Sequence, residues 1–208
     1  MTVETVHIVD DDEAVRKSLA LLLHASDLLT RQYDGALQFL SDYEPCKPEC
    51  LLLDLRMPGM DGLALQRELR SRGLSIPTIF LSGHGDISIA VRALREGALD
   101  YLEKPFNNDE LVDRVRACIR TDFEREQERA NQQTCRERLA ALTVREREVV
   151  DQLLQGKINK VVAAELGIST RTVESHRARI MKKLDVNALS DLFKLVLAAE
   201  GRSEADRN

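Results

Sequence analysis

The chain has 208 residues, room for one large domain or two small ones, and its 43% hydrophobic and 4% aromatic content builds aliphatic cores and excludes a disordered chain. No apolar run approaches a membrane span and the N-terminus lacks the basic and apolar regions of a signal peptide, so a cytoplasmic protein with no membrane partner is expected. The net charge of −5 excludes a uniformly basic nucleic-acid binder, yet residues 1–120 hold 14 Lys/Arg against 20 Asp/Glu while residues 143–200 hold 10 against 8, an asymmetry that hints at a separate binding module.

Val6-His7-Ile8-Val9 reads as a buried strand ending in Asp10-Asp11-Asp12, and Asp12 can cap a helix from Glu13 to His24. Leu28 to Tyr33 is a weak second strand, Gly35 to Leu40 a short helix, and Pro45 and Pro48 mark a loop. Cys50-Leu51-Leu52-Leu53 then leads into Asp54, and Pro58-Gly59 breaks the run. So short and continuous an apolar run predicts a parallel strand buried on both faces. Asp54 stands at its carboxyl end, where open α/β sheets place ligands; taken alone, it could equally cap the next turn. Asp61-Gly62 opens a helix through Arg70, which Gly73 ends. Leu74 to Leu81 is the fourth strand, ending in Ser82; the turn Gly83-His84-Gly85-Asp86 follows, with His84 solvated and Asp86 capping a helix to Glu96. Ala98 to Glu103 is the fifth strand, running into Lys104-Pro105, and Asp109 to Arg120 the fifth helix.

Five strands alternating with five helices predict a five-stranded, doubly wound parallel sheet of flavodoxin type. Parallel strands would bring the carboxylates, the Ser82 hydroxyl and the Lys104 ammonium to one edge. Clustered carboxylates repel and imply a cation, and an oxygen-only set suits partly hydrated Mg²⁺. His7 reads as a structural core histidine. Cys46, Cys50, Cys118 and Cys135 fit no zinc spacing and read as reduced thiols, Cys50 and Cys118 as core fillers.

Residues 121–142 carry mixed charge without Gly or Pro, which predicts a helical linker extending the fifth helix, with heptads too poor for a coiled coil. Thr143 and Glu146 have capping-box spacing at the head of a helix to Leu154, stopped by Gly156. Asn159 caps a short helix, Lys160 to Leu166; Gly167-Ile168-Ser169 turns the chain into a helix from Thr170 to Leu184; a last helix spans Leu189 to Glu200. This is a helix-turn-helix pattern in a small all-α domain. On a wheel of the Thr170 helix, Val173, Ile180, Met181 and Leu184 share one side. Arg171, Thr172, Ser175, His176, Arg179, Lys182 and Lys183 share the other. Such a basic face can be merely solvated, but behind a helix-turn-helix it suits a recognition helix in the major groove. Arg171, Glu174, Ser175 and Lys182 lie on its outermost line and are assigned to base edges; His176, Arg179, Lys183 and Lys160 are assigned to phosphates. Arg177 faces the apolar side, with Glu146 or Glu148 as its expected partner.

Val9-Asp10-Asp11, Leu53-Asp54, Ser82-Gly83 and Lys104-Pro105-Phe106, in that order, resemble the receiver domain of a bacterial two-component response regulator. Leu142-Thr143-x-Arg145-Glu146-x-Glu148-Val149, Asn159-Lys160 and Arg171-Thr172-Val173-Glu174-x-His176 resemble the LuxR-type DNA-binding domain. The chain is thus identified as a response regulator of the FixJ/NarL family, closest to the FixJ branch. It divides into a receiver over 1–120, a helical linker over 121–138 and a helix-turn-helix domain over 139–208. The resemblance implies that Asp54 accepts a phosphoryl group from a sensor histidine kinase, beside Mg²⁺ held by Asp10, Asp11, Asp54 and the Arg56 carbonyl. Lys104 and Ser82 would bind the phosphoryl oxygens, and Ser82 with Tyr101 would form the switch. It further implies a cis Lys104-Pro105 bond, homodimerisation on phosphorylation through Val91, Leu94, Arg95 and Tyr101, and promoter binding alongside RNA polymerase. The chain is then no enzyme beyond its own phosphorylation and dephosphorylation. A haloacid-dehalogenase-type phosphatase wants a second Asp two residues after the nucleophile, where Arg56 stands. A small-molecule-gated LuxR regulator wants an apolar pocket in place of the acidic cluster. A receiver that no longer takes phosphate is opposed by the presence of Asp10, Asp11, Asp54, Ser82 and Lys104.

Overall fold

The computed structural model describes residues 4–83 and 87–201, with residues 87–90 described by their backbone alone; the readings of His84 and of Asp86 as a cap lie outside these residues. The chain divides into two compact units, 1–126 and 127–208.

In the first unit, strands β1 (Thr5–Val9), β2 (Leu29–Tyr33), β3 (Glu49–Asp54), β4 (Thr78–Ser82) and β5 (Asp100–Glu103) form one sheet in the order β2-β1-β3-β4-β5. Every pairing is parallel. Helices α1 (Glu13–His24), α2 (Ala36–Asp42), α3 (Gly62–Ser71), α4 (Ile87–Arg95) and α5 (Asn108–Ala140) connect and follow the strands. Alternate strand residues feed two cores, as the two-residue period of a strand requires. Val6, Ile8, Leu52, Ile79 and Leu81 pack with Leu19 and Leu23 of α1 and Leu111 and Val115 of α5. Val9, Leu51, Leu53 and Phe80 pack with Phe39 of α2, Leu63 and Leu69 of α3 and Ala93 of α4. A doubly wound sheet of flavodoxin type is what the alternating pattern predicts. Lys104-Pro105 is cis as expected, and so is Lys47-Pro48.

Of the element starts that differ from the sequence reading, three have a visible local cause. β4 begins at Thr78 rather than Leu74, because the Leu74 amide bonds back to the Leu69 carbonyl and, with left-handed Gly73 (φ 73°), closes α3. β5 begins at Asp100 rather than Ala98 for the same reason: Ala98 N donates to the Ala93 carbonyl, closing α4 beyond Gly97. Asn159 is already the first residue of its helix, and Ile158 takes the cap position without a side-chain bond.

The second unit contains α6 (Val144–Leu154), α7 (Asn159–Leu166), α8 (Thr170–Lys183) and α9 (Leu189–Glu200). Their apolar faces share one core built on Val149, Val162, Val173, Ile180, Leu184 and Leu192. The Thr143–Glu146 capping box is formed. α5 runs unbroken over 33 residues, as a linker extending the fifth helix predicts, and its middle and its C-terminal part are tied down separately. Asp122 accepts from the Glu49 amide at 2.9 Å and from Lys47 Nζ at 2.9 Å. Cys135 joins the core of the second unit, and Arg136 donates to the Ala199 carbonyl at 2.8 Å. Residues assigned to a linker thus belong to the packing of both units. Among the described residues no helix is long and apolar enough to cross a membrane, and all four cysteines are free.

Candidate functional site

The order β2-β1-β3 reverses direction between β1 and β3, so the carboxyl ends of those strands open a crevice. Val9 lies beside Leu53, and Asp54 beside Leu81, which sets Asp10, Asp54 and Ser82 at one edge. Ser82 pairs with Glu103 and its carbonyl accepts from Lys104 N at 2.7 Å, adding the lysine. Gly62 allows α3 to start hard against this edge: a Cβ there would collide with the Asp54 carbonyl.

Lys104 Nζ donates to Asp10 Oδ2 at 2.7 Å and to Asp54 Oδ1 at 2.6 Å. The other oxygens are also held, Asp10 Oδ1 by Asp12 N at 2.9 Å and Asp54 Oδ2 by Arg56 N at 2.7 Å. Asp10 and Asp54 are 1% and 8% exposed. Burial pushes the Asp54 carboxyl above its ordinary pKa, against the hydrogen bond and charge of Lys104, which lower it. Asp11 is exposed and lines, with Leu55, Arg56, Met57, Pro58 and Asp61, a cleft of about 510 Å³. Asp12 is spent on capping α1, accepting from Ala14 N at 2.8 Å.

Asp10, Asp11 and Asp54 do not bring one oxygen each within 4.8 Å of one another; among the described residues only His7, Cys46 and Glu49 meet that geometry for metal-ligating atoms. The donor chemistry nonetheless fits Mg²⁺. Three carboxylates against one ammonium leave two negative charges, and Mg²⁺ takes one or two carboxylates while keeping several waters. Ser82, 2% exposed, directs its hydroxyl to the Leu102 carbonyl at 3.5 Å rather than to Asp54 or Lys104. Tyr101 is half-buried against the second core cluster. On α4, Val91 and Leu94 are 43% and 39% exposed, and Arg95 is exposed beside them.

In the second unit, Gly167 is left-handed (φ 64°) and ends α7, and Ser169 Oγ accepts from Thr172 N at 3.1 Å to start α8. Val173 and Ile180 are buried; Arg171, Glu174, Ser175, Arg179, Lys182 and Lys183 are exposed, as is Lys160 on α7. Thr172 and His176 are intermediate, and His176 Nδ1 is buried without a partner. Two pairings differ from the sequence reading. Arg177 donates to Asn159 Oδ1 at 2.6 Å, not to Glu146 or Glu148. Glu146 is instead taken by Lys183, at 2.7 Å, on the same Oε2 that accepts from the Thr143 amide in the capping box. With Lys183 and then Thr143 donating to it, the Glu146 carboxyl is lowered to about 2.

Comparison with known proteins agrees with both units. The family described as response regulator receiver domain matches residues 6–116, and that of bacterial regulatory proteins, luxR family, matches residues 140–196. The transcriptional regulatory protein FixJ of Azorhizobium caulinodans is 42% identical over 97% of this chain and 95% of its own length. The response regulator protein TodT of Pseudomonas putida is 39% identical over 91% and 84%. Among solved structures, the response regulator StyR matches with a TM-score of 0.82 at 40% identity, over 93% of this chain and 98% of that one. Full-length FixJ from B. japonicum gives 0.59 at 35% identity over 98% and 100%.

Proposed function

Since this chain belongs to the FixJ-type two-component response regulators, transcriptional regulators that join a receiver to a LuxR-type DNA-binding domain, we propose that Asp54 is its phosphoacceptor. The observation that carries the assignment is the single ammonium of Lys104 bridging the Asp10 and Asp54 carboxylates at the switch point of the sheet. A carboxylate can serve as a nucleophile toward phosphorus. An Asp54 oxygen forms the new O–P bond as the P–N bond to a sensor kinase's phosphohistidine breaks, and the imidazole leaves with the electron pair. Catalysis of such a transfer is positioning and charge neutralisation. Lys104 supplies one positive charge. Mg²⁺, held by Asp10, Asp11, Asp54 and the Arg56 carbonyl, would supply the rest of the neutralisation.

Ser82 must give up its bond to the Leu102 carbonyl to reach a phosphoryl oxygen, and that accepting residue is next to Tyr101 in the chain. Breaking it couples the new charge to Tyr101 and to the α4 face carrying Val91, Leu94 and Arg95, across which two receivers pair. This is a local charge event biasing a two-state element. The dimer sets two α8 helices on promoter DNA in the cytoplasm, with RNA polymerase as the further partner. Arg171, Glu174, Ser175 and Lys182 read base edges; Lys160, Thr172, Arg179 and Lys183 hold the backbone, as does His176 through whatever its half-buried ring leaves outside. The chain thus turns over no substrate besides its own phosphoryl group.

The test is intact-mass spectrometry after incubation with Mg²⁺ and acetyl phosphate. One phosphoryl adduct is expected on the wild type and none on Asp54→Asn. The same adduct on the Asn variant would overturn the assignment.

A further inference from the structure

The receiver contains a second polar cluster that phosphoryl chemistry does not use. His7 sits in the middle of β1, Glu49 opens β3, and Cys46 lies in the loop between α2 and β3. His7 Nε2 and Glu49 Oε2 are 3.0 Å apart; Cys46 Sγ is 3.4 Å from the first and 3.6 Å from the second. We propose that these three side chains form a transition-metal site, for Zn²⁺, distinct from the acidic edge that carries Asp54.

The triangle has the right size. Around a tetrahedral Zn²⁺, with bonds of about 2.0–2.1 Å to nitrogen or oxygen and about 2.3 Å to sulfur, ligand atoms lie about 3.3–3.6 Å apart. Two of the three edges fall in that range, and the third is short by a few tenths of an ångström. The set of one imidazole, one thiol and one carboxylate also discriminates, since Mg²⁺ and Ca²⁺ prefer oxygen alone.

The surroundings are arranged as those of a metal site are. Outer partners fix ligand orientation and tautomer. Here the Tyr33 hydroxyl lies 3.1 Å from His7 Nδ1 and can accept from it; in that tautomer Nε2 carries no proton, so the ion would replace the 3.0 Å contact between Nε2 and Glu49 Oε2. Glu49 Oε1, the oxygen turned away from the cluster, accepts from the Tyr43 hydroxyl at 2.7 Å and lies 3.0 Å from Lys47 Nζ. The rings of Tyr33, Phe39 and Tyr43 stand 5.4–5.8 Å from that of His7 and wall it from water. His7 and Glu49 are fully buried, while Cys46 is partly exposed, so the ion enters and its fourth ligand, water, is supplied from the cysteine side. Charge also balances. Glu49, Asp122 and Lys47, joined by their contacts, sum to minus one; a divalent ion that displaces the Cys46 proton to solvent water brings plus two and minus one, leaving zero. Bound there, Zn²⁺ would clamp the α2–β3 loop onto β1.

The experiment uses the full chain, stripped with a chelator and held in excess Mg²⁺ so that the acidic edge is occupied. Zn²⁺ is added in a calorimeter, and Co²⁺ is added while the absorption spectrum is recorded. One Zn²⁺ per chain and a near-ultraviolet thiolate-to-cobalt band are expected. Tyr33→Phe should weaken Zn²⁺ about 10–100-fold and Cys46→Ala by more than that, with the cobalt band lost in Cys46→Ala and kept in Cys135→Ala. Cys46 is partly exposed, so its removal leaves the core intact, and the wild-type cobalt spectrum tests the site without any variant. Absence of a thiolate band in the wild type, its survival in Cys46→Ala, or Zn²⁺ binding abolished by Asp54→Asn but not by Cys46→Ala would each overturn the proposal.

Discussion

If Lys183 holds a DNA phosphate, as proposed above, its ion pair with Glu146 should make DNA affinity depend on that carboxylate as well. Lys183 is 40% exposed at its side chain and lies 2.7 Å from a carboxylate that is 5% exposed. A phosphate that recruits this lysine must first displace Glu146. A partly exposed pair of this kind is worth about 0.2–1 kcal/mol, which corresponds to a factor of about 1.4–5 in binding. Glu146→Gln isolates that contribution, because glutamine can still accept from the Thr143 amide and keep the capping box. The variant should therefore bind mixed-sequence duplex about 1.4–5-fold more tightly than wild type. Lys183→Ala should lower the salt slope by about one unit, and should lose more affinity in the Gln background than in the wild type. The assay is fluorescence anisotropy across a salt series on the four members of this cycle. Equal affinities for wild type and Glu146→Gln, with an unchanged slope in Lys183→Ala, would show that Lys183 is a structural partner of Glu146 and no phosphate ligand.

The same carboxylate sets an acid dependence. Its pKa is lowered from 4.5 to about 2 by Lys183 and the Thr143 amide, so the stability it contributes is complete above pH 4.5 and is lost as pH falls toward 2. Thermal unfolding of the second unit between pH 6 and 3 should show a steeper decline in wild type than in Glu146→Gln, and parallel curves would refute this. On the receiver, Val91→Asp should keep the phosphorylated chain monomeric at concentrations where the phosphorylated wild type dimerises; sedimentation velocity decides, and an unchanged dimer would move the interface away from α4.

What the sequence disclosed follows from which signals are local. The strand at Cys50–Asp54 and the caps at Asp12, Asp61, Thr143 and Ser169 are contiguous patterns, and each stands where the pattern predicts. The Asp10–Lys104–Asp54 group was legible because strand ends in a parallel sheet share an edge. Leu74 and Ile76 fit a strand pattern, but an apolar residue just past a left-handed glycine also closes a helix, as Leu74 does after Gly73. Long-range polar partners left no such trace. Arg177 meets Asn159, 18 residues away, and Lys183 meets Glu146, 37 residues away; charge alone could not choose among the available carboxylates. In the sequence His7 stands without a local polar neighbour, and its partners arrive from Tyr33, Cys46 and Glu49. Cysteine spacing misses a cluster in which a carboxylate three residues on and a histidine from another strand join a single thiol.

The buried pair of His7 and Glu49 has a consequence for assembly of the sheet. β1 and β3 are covered on both faces, so sliding one strand past the other by two residues would set aliphatic side chains against aliphatic side chains at little cost. Val6 beside Cys50 and Ile8 beside Leu52 would merely exchange neighbours. The slide would, however, strand a carboxylate and an imidazole in the interior, and a buried charge without its partner is among the most destabilising defects a core can hold. One histidine and one glutamate thus act as a proofreading key. They contribute less to how strongly the two central strands bind than to which of several nearly equivalent alignments survives. On that alignment depends whether Asp10 and Asp54 end side by side.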